Sequence, residues 1–359
     1  MVRLPGPFTM RNGGVLPQVD VAYETWGRLS PQKDNVVLLV TGLSPGAHAR
    51  SSAEDPTPGW WEEMVGPGQA IDTERFHVVC VNSLGSCHGT TGAASVDPRT
   101  GDLYRLTFPV LTIEDIATVA REAMHAIGLP RLRAIVGPSL GGMTALAYSM
   151  LFPQEVGALV SISGAARATP FAIALRSVQR EAIRSDPEWR DGHYVPPGPV
   201  NGLRVARKLG LITYRSAAEW RERFGRERVK VREDRPAAFA LEFEIEAYLE
   251  MHARKFVGSF DPNCYLYLSR CMDIFDAADH GHGSVEAALA TIQAADALVI
   301  GVETDFLFPL DQQEEIATLL RRAGRRVRFA PLASIQGHDS FLVDFDRFAP
   351  VIAEFLAEL

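Results

Sequence analysis

The chain has 359 residues, of which 47% are apolar and 22% are charged, and its formal net charge is −8. This length fits one large α/β domain with an inserted or appended subdomain, and the apolar fraction can form a sizeable core. The negative charge argues against nucleic acid or an anionic membrane surface as the main partner.

The first half of the chain alternates strand and helix patterns. Residues 8–24 are typical of a hairpin, with "NGG" (12–14) as its turn and "VDVAYETWG" as its return strand. Four apolar runs with the length of buried strands follow at 35–42, 76–83, 132–137 and 156–164. Helices are predicted over 112–129 and 141–153, between the last three runs. This alternation predicts a largely parallel sheet with helices on both faces.

The pattern changes after about residue 167, where strand signals become rare and helical segments follow one another. A strand returns at 295–305, followed by a helix at 309–324 and a strand at 326–333. We therefore predict three parts: an α/β core over 1–166, a helical insertion over 167–285, and the rest of the core over 286–359.

A serine stands among glycines where the third apolar run ends. Gly137-Pro138-Ser139-Leu140-Gly141 fits the pattern G-x-S-x-G between a strand and a helix. Such a turn holds a serine in a strained conformation with its hydroxyl exposed, and glycines prevent collisions with the neighbouring backbone. The amide of Leu140, at the helix N-terminus, can face a developing oxyanion. The alternative is a plain glycine-rich turn without chemistry.

A nucleophilic serine needs a histidine as base and an acid that orients it. His338, in "IQGHDSFL", is the one histidine after the predicted insertion, and Asp305 ends the strand before it. Both residues follow strands at the edge where open α/β sheets build their sites. Each also has a plain alternative: Asp305 as a helix cap and His338 as a surface loop residue. In this kind of fold, a second oxyanion donor comes from the loop near Gly42 and Leu43.

Other features of the sequence point away from metal and membrane sites. The four cysteines have no zinc-site spacing, and the pair His280 and His282 lacks a second such pair, so we expect no metal and reduced thiols. No apolar run reaches the roughly 18 residues of a membrane helix. The first residues lack a secretory signal pattern, and we expect a cytoplasmic protein with no bound cofactor.

Several longer motifs resemble the homoserine O-acetyltransferases, a family with the α/β-hydrolase fold. They include "TGLSPGAH", "GPSLGGMTAL", "FDPNCYLYLSRCMDIFD", "TDFLFP" and "GHDSFL", and they span nearly the whole chain. The resemblance implies a mostly parallel sheet with a helical lid insertion. It also implies ping-pong transfer of an acyl group from a CoA thioester, such as succinyl-CoA or acetyl-CoA, to an amino-acid hydroxyl. A homodimer formed through the lid is a further expectation.

The resemblance also assigns roles to residues of this chain. Ser139 is the nucleophile, His338 the base and Asp305 its partner, while Arg207 and Asp339 match positions that hold the acceptor's carboxylate and amine. A zwitterionic acceptor does need one cation and one anion. Taken without the family, Arg207 fits a solvated helix face. The loop that contains Gly42, Ser44 and Pro45 is expected to contact the substrate.

Two departures from the homoserine pattern favour L-serine as acceptor. The loop reads "TGLSPGAH", and Arg176 stands on the first insertion helix where acetyl-using relatives tend to have asparagine. Both features resemble the branch that acylates L-serine, and an arginine can bind the free carboxylate of a succinyl group. The alternative for Arg176 is an exposed helix arginine near Glu181.

Three functions remain open at this point. The first is a serine or homoserine O-acyltransferase in cysteine or methionine biosynthesis, with a succinyl or acetyl donor. The second is an esterase on the same scaffold, because the fold alone does not separate transfer to an acceptor from transfer to water. The third, a binding protein without catalysis, is disfavoured by the complete set of serine, histidine and aspartate.

Overall fold

The computed structural model describes residues 1–230 and 240–359, and its centre is a seven-stranded sheet. The strands, in chain order, are β1 Tyr23–Trp26, β2 Val36–Val40, β3 His77–Val81, β4 Leu132–Pro138, β5 Val156–Ile162, β6 Asp296–Val302 and β7 Arg326–Leu332. Their spatial order is β7-β6-β5-β4-β2-β3-β1, and only β1 runs antiparallel to its neighbour. The predicted parallel sheet is therefore present.

The alternation of side chains along each strand divides the core into two layers. In β2, Val36, Leu38 and Val40 face one layer, whereas Val37 and Leu39 face the other, and all five are at most 2% exposed. Successive side chains of a strand point to opposite faces, so a continuous apolar run is what a sheet covered on both sides requires.

Eleven α-helices surround this sheet in the described residues. They are α1 Ile113–Ala126, α2 Leu140–Leu151, α3 Pro170–Arg184, α4 Val200–Tyr214, α5 Ala217–Phe224, α6 Glu244–Phe256, α7 Pro262–Ile274, α8 Val285–Ala290, α9 Leu310–Arg322, α10 Ser340–Val343 and α11 Phe345–Ala357. Residues of α1, α2 and α9 bury their apolar faces in the first layer, and α11 buries its face in the second. Short 3₁₀ turns lie at Arg105–Thr107, Pro187–Gly192, Ala277–His280 and Gly337–Asp339.

The helices α3 to α8 lie between β5 and β6 in the chain. Within this group α3 packs against both α4 and α7, and α4 packs against α6. Leu175 of α3, Tyr214 of α4 and Tyr265 of α7 line the same cavity as Ser139, so these helices lie over the end of β4. The exact limits at 167 and 285 stay a prediction.

The predicted hairpin over 8–24 is partly wrong. Phe8–Thr9 pairs with Val15–Leu16 around the "NGG" turn, but the return strand does not continue this hairpin. Asp20–Val21 pairs with Val2–Arg3, and β1 pairs with β3 at the edge of the central sheet. The local sequence signal identifies the turn correctly. The residues beyond the turn pair instead with strands that are distant in the sequence, which a local signal does not reveal.

Over residues 1–230 and 240–359, the structure has no helix with the length and apolar character needed to cross a membrane.

Candidate active site

Ser139 lies at a sharp turn between β4 and α2. Its backbone has φ 58° and ψ −119°, a conformation that residues with a Cβ atom rarely adopt. The serine is 8% exposed and lines a cavity at the carboxyl edge of the sheet. The turn therefore presents the hydroxyl of Ser139 to the cavity at the cost of a strained backbone.

Contacts around the turn explain its glycines. A Cβ atom at Gly137 would lie 2.1 Å from the carbonyl oxygen of Gly141, and one at Gly141 would lie 2.3 Å from the carbonyl oxygen of Val40. These distances are far below van der Waals contact with backbone atoms, which have little freedom to move. Glycine is required at both positions because strand and helix approach so closely.

Ser139, His338 and Asp305 form one hydrogen-bonded series. The distance between Ser139 Oγ and His338 Nε2 is 2.7 Å, and the distance between His338 Nδ1 and Asp305 Oδ2 is 2.6 Å. The side chains of His338 and Asp305 are 3% and 0% exposed. The carboxylate accepts from Nδ1–H, which leaves the lone pair of Nε2 to accept the proton of Ser139.

The loop after β6 supports both Asp305 and His338. The second oxygen of Asp305, Oδ1, accepts hydrogen bonds of 2.9 Å from the backbone N–H groups of Leu307 and Phe308. The ring of Phe308 stacks on the imidazole of His338, with centroids 4.8 Å apart and an interplanar angle of 15°. The loop after β6 thus orients the acid and supports the histidine ring at the same time.

The predicted oxyanion donors flank the serine. Leu140 is the first residue of α2, so its N–H has no acceptor one turn earlier in the helix. Leu43 follows β2 in the neighbouring loop and lines the same cavity as Ser139. Two backbone N–H groups near one nucleophile can stabilise the oxyanion of a tetrahedral intermediate, and this role for Leu43 and Leu140 stays a prediction.

A small cavity of about 70 Å³ lies in front of Ser139. The sequence-predicted residues on its wall are Gly42, Leu43, Ser44, Pro45, Ser139, Arg176, His338 and Asp339. Most of the remaining wall is apolar or aromatic and comes from α3, α4, α7, α10 and the loop after β6. The site is therefore a mostly apolar pocket with a few polar groups, as expected of a small-molecule site.

Arg176 is buried, so the alternative of an exposed arginine near Glu181 is wrong. Its Nε donates to Oδ1 of Asp273 at 2.6 Å, and the side chain is 6% exposed. Nη1 and Nη2 are buried without a hydrogen-bond partner among the described residues. A second arginine, Arg180, places Nη2 at 2.6 Å from Oδ2 of Asp273. Two guanidinium groups therefore share one carboxylate, and the cluster keeps a net positive charge.

Asp339 lines the cavity beside His338, and its side chain is 19% exposed. Burial raises the pKa of the Asp339 carboxyl, against the opposing effect of the positive charges of Arg215 and Arg207. The Nε of Arg215 lies 3.5 Å from Oδ2 of Asp339. A positively charged ligand group at this carboxylate would stabilise its ionised form.

Arg207 does not belong to the cavity wall, unlike the other predicted substrate residues. Its guanidinium lies over the rings of Phe256, at 4.5 Å, and Tyr214, at 5.8 Å. Its Nε is buried and has no hydrogen-bond partner within the described chain. Arg207 is half-buried and lies next to Tyr214, which does line the cavity, so its role toward a substrate stays a prediction.

Three charged residues next to the cavity wall were not predicted from the sequence: Arg180, Arg215 and Asp273. One signal was available for the arginine cluster, because the buried stripe of α3 consists of Ala172, Arg176, Gln179 and Ile183. A charged residue on the apolar stripe of an amphipathic helix requires a buried partner. The identity of that partner, on a helix almost a hundred residues later, had no local signal.

Comparisons with known proteins agree with this architecture. Residues 35–339 match the family described as alpha/beta hydrolase fold. A protein of Litchfieldella anticariensis named serine O-succinyltransferase is 58% identical over 357 residues, covering 99% of this chain and 97% of the relative. Homoserine O-acetyltransferase from Bacillus anthracis has a TM-score of 0.90 at 29% identity, covering 99% of this chain and 96% of that chain. Esterase E22 has a TM-score of 0.88 at 29% identity, covering 98% of both chains. The predicted fold class and family resemblance are confirmed.

Proposed function

Since the chain belongs to the alpha/beta hydrolase fold family and is an acyltransferase by its full-length likeness to enzymes so named, we propose that it transfers a succinyl group from succinyl-CoA to the hydroxyl of L-serine. The relatives that carry the name serine O-succinyltransferase support this proposal. No metal or bound cofactor takes part, and acyl-CoA is a co-substrate. A homodimer formed through the helical insertion and a place in cysteine or methionine biosynthesis complete the proposal.

The reaction runs in two halves through Ser139. His338 accepts the hydroxyl proton while Oγ attacks the thioester carbonyl, and the N–H groups of Leu43 and Leu140 stabilise the oxyanion. The tetrahedral intermediate collapses, CoA leaves as a thiol with the proton from His338, and a succinyl ester remains on Ser139. The hydroxyl of L-serine then attacks this ester with His338 again as base, which releases O-succinyl-L-serine and restores the enzyme.

The observation that carries the donor assignment is the net positive charge at Arg176. Two arginines share one aspartate in a place with little solvent, and two nitrogens of Arg176 have no protein partner. An uncompensated buried charge is costly, and the distal carboxylate of a succinyl group would neutralise it. The ring of Phe308 contacts both the guanidinium of Arg176, at 5.9 Å, and His338, at 4.8 Å. The cation thus lies one side chain away from the catalytic histidine.

The acceptor binds as a zwitterion near Asp339. Burial raises the pKa of this carboxyl, and the ammonium of L-serine placed beside it would stabilise its ionised form. Arg207 acts on the acceptor carboxylate at longer range, because its guanidinium lies behind Tyr214. The loop of Gly42, Ser44 and Pro45 closes this side of the pocket and favours the shorter acceptor.

A matrix of two donors and two acceptors tests the proposal. Succinyl-CoA and acetyl-CoA are each combined with L-serine, L-homoserine or no acceptor, and release of CoA gives kcat/KM. We expect the highest value for succinyl-CoA with L-serine. A homoserine preference of about tenfold or more, equal to about 1.4 kcal/mol, would overturn the serine assignment. Fast CoA release without acceptor would favour the esterase function, which the likeness to esterase E22 keeps as a second candidate.

Replacing Arg176 by asparagine is expected to lower kcat/KM for succinyl-CoA by about 10- to 1,000-fold, because charge-assisted hydrogen bonds are worth about 1.5–3 kcal/mol each. Transfer from acetyl-CoA should be spared or raised, since an unpaired cation is removed from its pocket. Arg184→Asn, on the exposed end of α3, is the matched control. It should leave kcat/KM for both donors unchanged. An unchanged donor ratio in Arg176→Asn would contradict the assignment.

A further inference from the structure

We propose that Asp273 is a positioning residue for donor choice, which holds the guanidinium of Arg176 so that its two terminal nitrogens stay available to the carboxylate of the acyl donor. This inference rests on the succinyl preference of the proposed function. It adds a residue that does not touch the donor and that acts only through Arg176. Asp273 and Arg180 form with Arg176 a cluster that we call the α3–α7 charge cluster.

Asp273 joins two arginines of α3 from its place on α7. Its Oδ1 accepts from Nε of Arg176, and its Oδ2 lies against Nη2 of Arg180, each at 2.6 Å. The side chain of Asp273 is 2% exposed, and those of Arg176 and Arg180 are 6% and 12% exposed. Because water barely reaches these groups, their attraction is little screened and they hold one another in place.

Arg180 lies on the Oδ2 side of the Asp273 carboxylate, opposite the oxygen that Arg176 binds. Its Nη1 donates to Oγ of Ser269 at 3.0 Å, so the guanidinium of Arg180 is itself held against α7. Nη2 of Arg180 forms an ion pair with Oδ2 without hydrogen-bond geometry, and the hydrogen bond from Arg176 goes to Oδ1. The carboxylate of Asp273 therefore does not form a bidentate pair with Arg176.

This division leaves one edge of the Arg176 guanidinium free. A guanidinium carries five N–H donors in a planar fork, and two neighbouring nitrogens bind a carboxylate best. Asp273 takes the Nε side, whereas Nη1 and Nη2 have no partner among residues that the structure describes. Arg176 also lines the cavity in front of Ser139. The free edge is thus a prepared site for one carboxylate, held before the donor arrives.

The charge count gives the same result. The α3–α7 charge cluster contains two cations and one anion, so an anionic donor completes its neutralisation and a neutral acetyl group does not. Without the carboxylate of Asp273, Arg176 would keep its charge but lose its fixed direction. Loss of position by about 1 Å can cost about 10²-fold in rate.

The variant Asp273→Asn tests this role. We expect the ratio of kcat/KM for succinyl-CoA over acetyl-CoA to fall by about 10²-fold, chiefly through a higher KM for succinyl-CoA. If the role of Asp273 were purely structural, the substitution would lower kcat/KM for both donors together and leave their ratio unchanged. Asp296→Asn is the matched control, because it breaks an exposed arginine pair with Arg326, of 2.7 and 2.6 Å, at the start of β6 and far from the cavity. Its ratio should equal that of the unmodified enzyme.

A second variant, Arg176→Lys, keeps Asp273 and the positive charge and decides the question if Asp273→Asn does not fold. One ammonium group must serve either Asp273 or the donor, so we expect the succinyl preference to be lost. A wild-type ratio in either variant overturns the role of Asp273. If Arg176→Asn alone removes the preference, only the positioning role fails. If the unmodified enzyme has no succinyl preference, both this inference and the proposed donor fail.

Discussion

Replacing Ser139 by alanine is expected to lower kcat for acyl transfer by about 10⁴–10⁶-fold while the protein stays folded. The substitution removes Oγ, which is the atom that carries the acyl group between donor and acceptor. Alanine keeps the Cβ atom, so the strained backbone at φ 58° is no worse than in the native turn. Steady-state CoA release measures the activity, and the thermal unfolding midpoint checks the fold.

A second hydroxyl on the following helix provides the control for this variant. Ser149 is fully buried on α2 and donates to the carbonyl of Ala145 at 2.8 Å. Ser149→Ala should retain the activity of the unmodified enzyme, since this hydroxyl is remote from the cavity. Substantial transfer by Ser139→Ala would mean that the acceptor attacks the thioester directly and that no serine ester is formed.

Replacing Asp305 by asparagine is expected to lower kcat by about 10⁴-fold, the size known for loss of the orienting acid in serine triads. The asparagine oxygen can still accept from the N–H groups of Leu307 and Phe308. Its amide group then faces Nδ1 of His338 as a donor. The imidazole proton moves to Nε2, which no longer accepts the proton of Ser139. Single-turnover formation of the acyl-enzyme from succinyl-CoA measures the defect.

Asp311→Asn is the control for Asp305→Asn, because Asp311 is an exposed acid in the first turn of α9, close in sequence but outside the cavity. Its loss should cost a little stability at the helix N-terminus and no activity. If Asp305→Asn forms the acyl-enzyme within about tenfold of the unmodified rate, a loss of about 1.4 kcal/mol or less, His338 does not depend on this acid for its orientation.

Local patterns predicted most of the central sheet and the serine turn. Strand β2 is a continuous apolar run and β3 to β5 are mostly apolar, and Gly137 and Gly141 mark a turn whose backbone contacts exclude a Cβ atom. Order along the chain then placed Asp305 and His338 after the strands that end near Ser139. These features depend on neighbours in sequence or on a fixed edge of the sheet, so one sequence contains their signal.

Local sequence patterns did not predict the contacts between helices that are distant in the sequence. The pairing of Arg176 with Asp273 depends on how α3 and α7 pack, and neither residue carries a local sign of the other. The packing of the Arg207 guanidinium on Phe256 and Tyr214 likewise had no local signal, and its predicted role toward the acceptor stays a prediction. The long side chain of an arginine can point in several directions from one backbone position, and only tertiary packing selects one of them.

Detection of the acyl-enzyme is the most direct test of ping-pong transfer through Ser139. The unmodified enzyme is mixed with succinyl-CoA without acceptor, quenched rapidly, and examined by intact-protein and peptide mass spectrometry; L-serine is then added to the remainder. We predict one succinyl group on the peptide that contains Ser139, followed by its discharge as O-succinyl-L-serine. Turnover without any succinylated protein, or discharge that L-serine does not accelerate, would contradict the account.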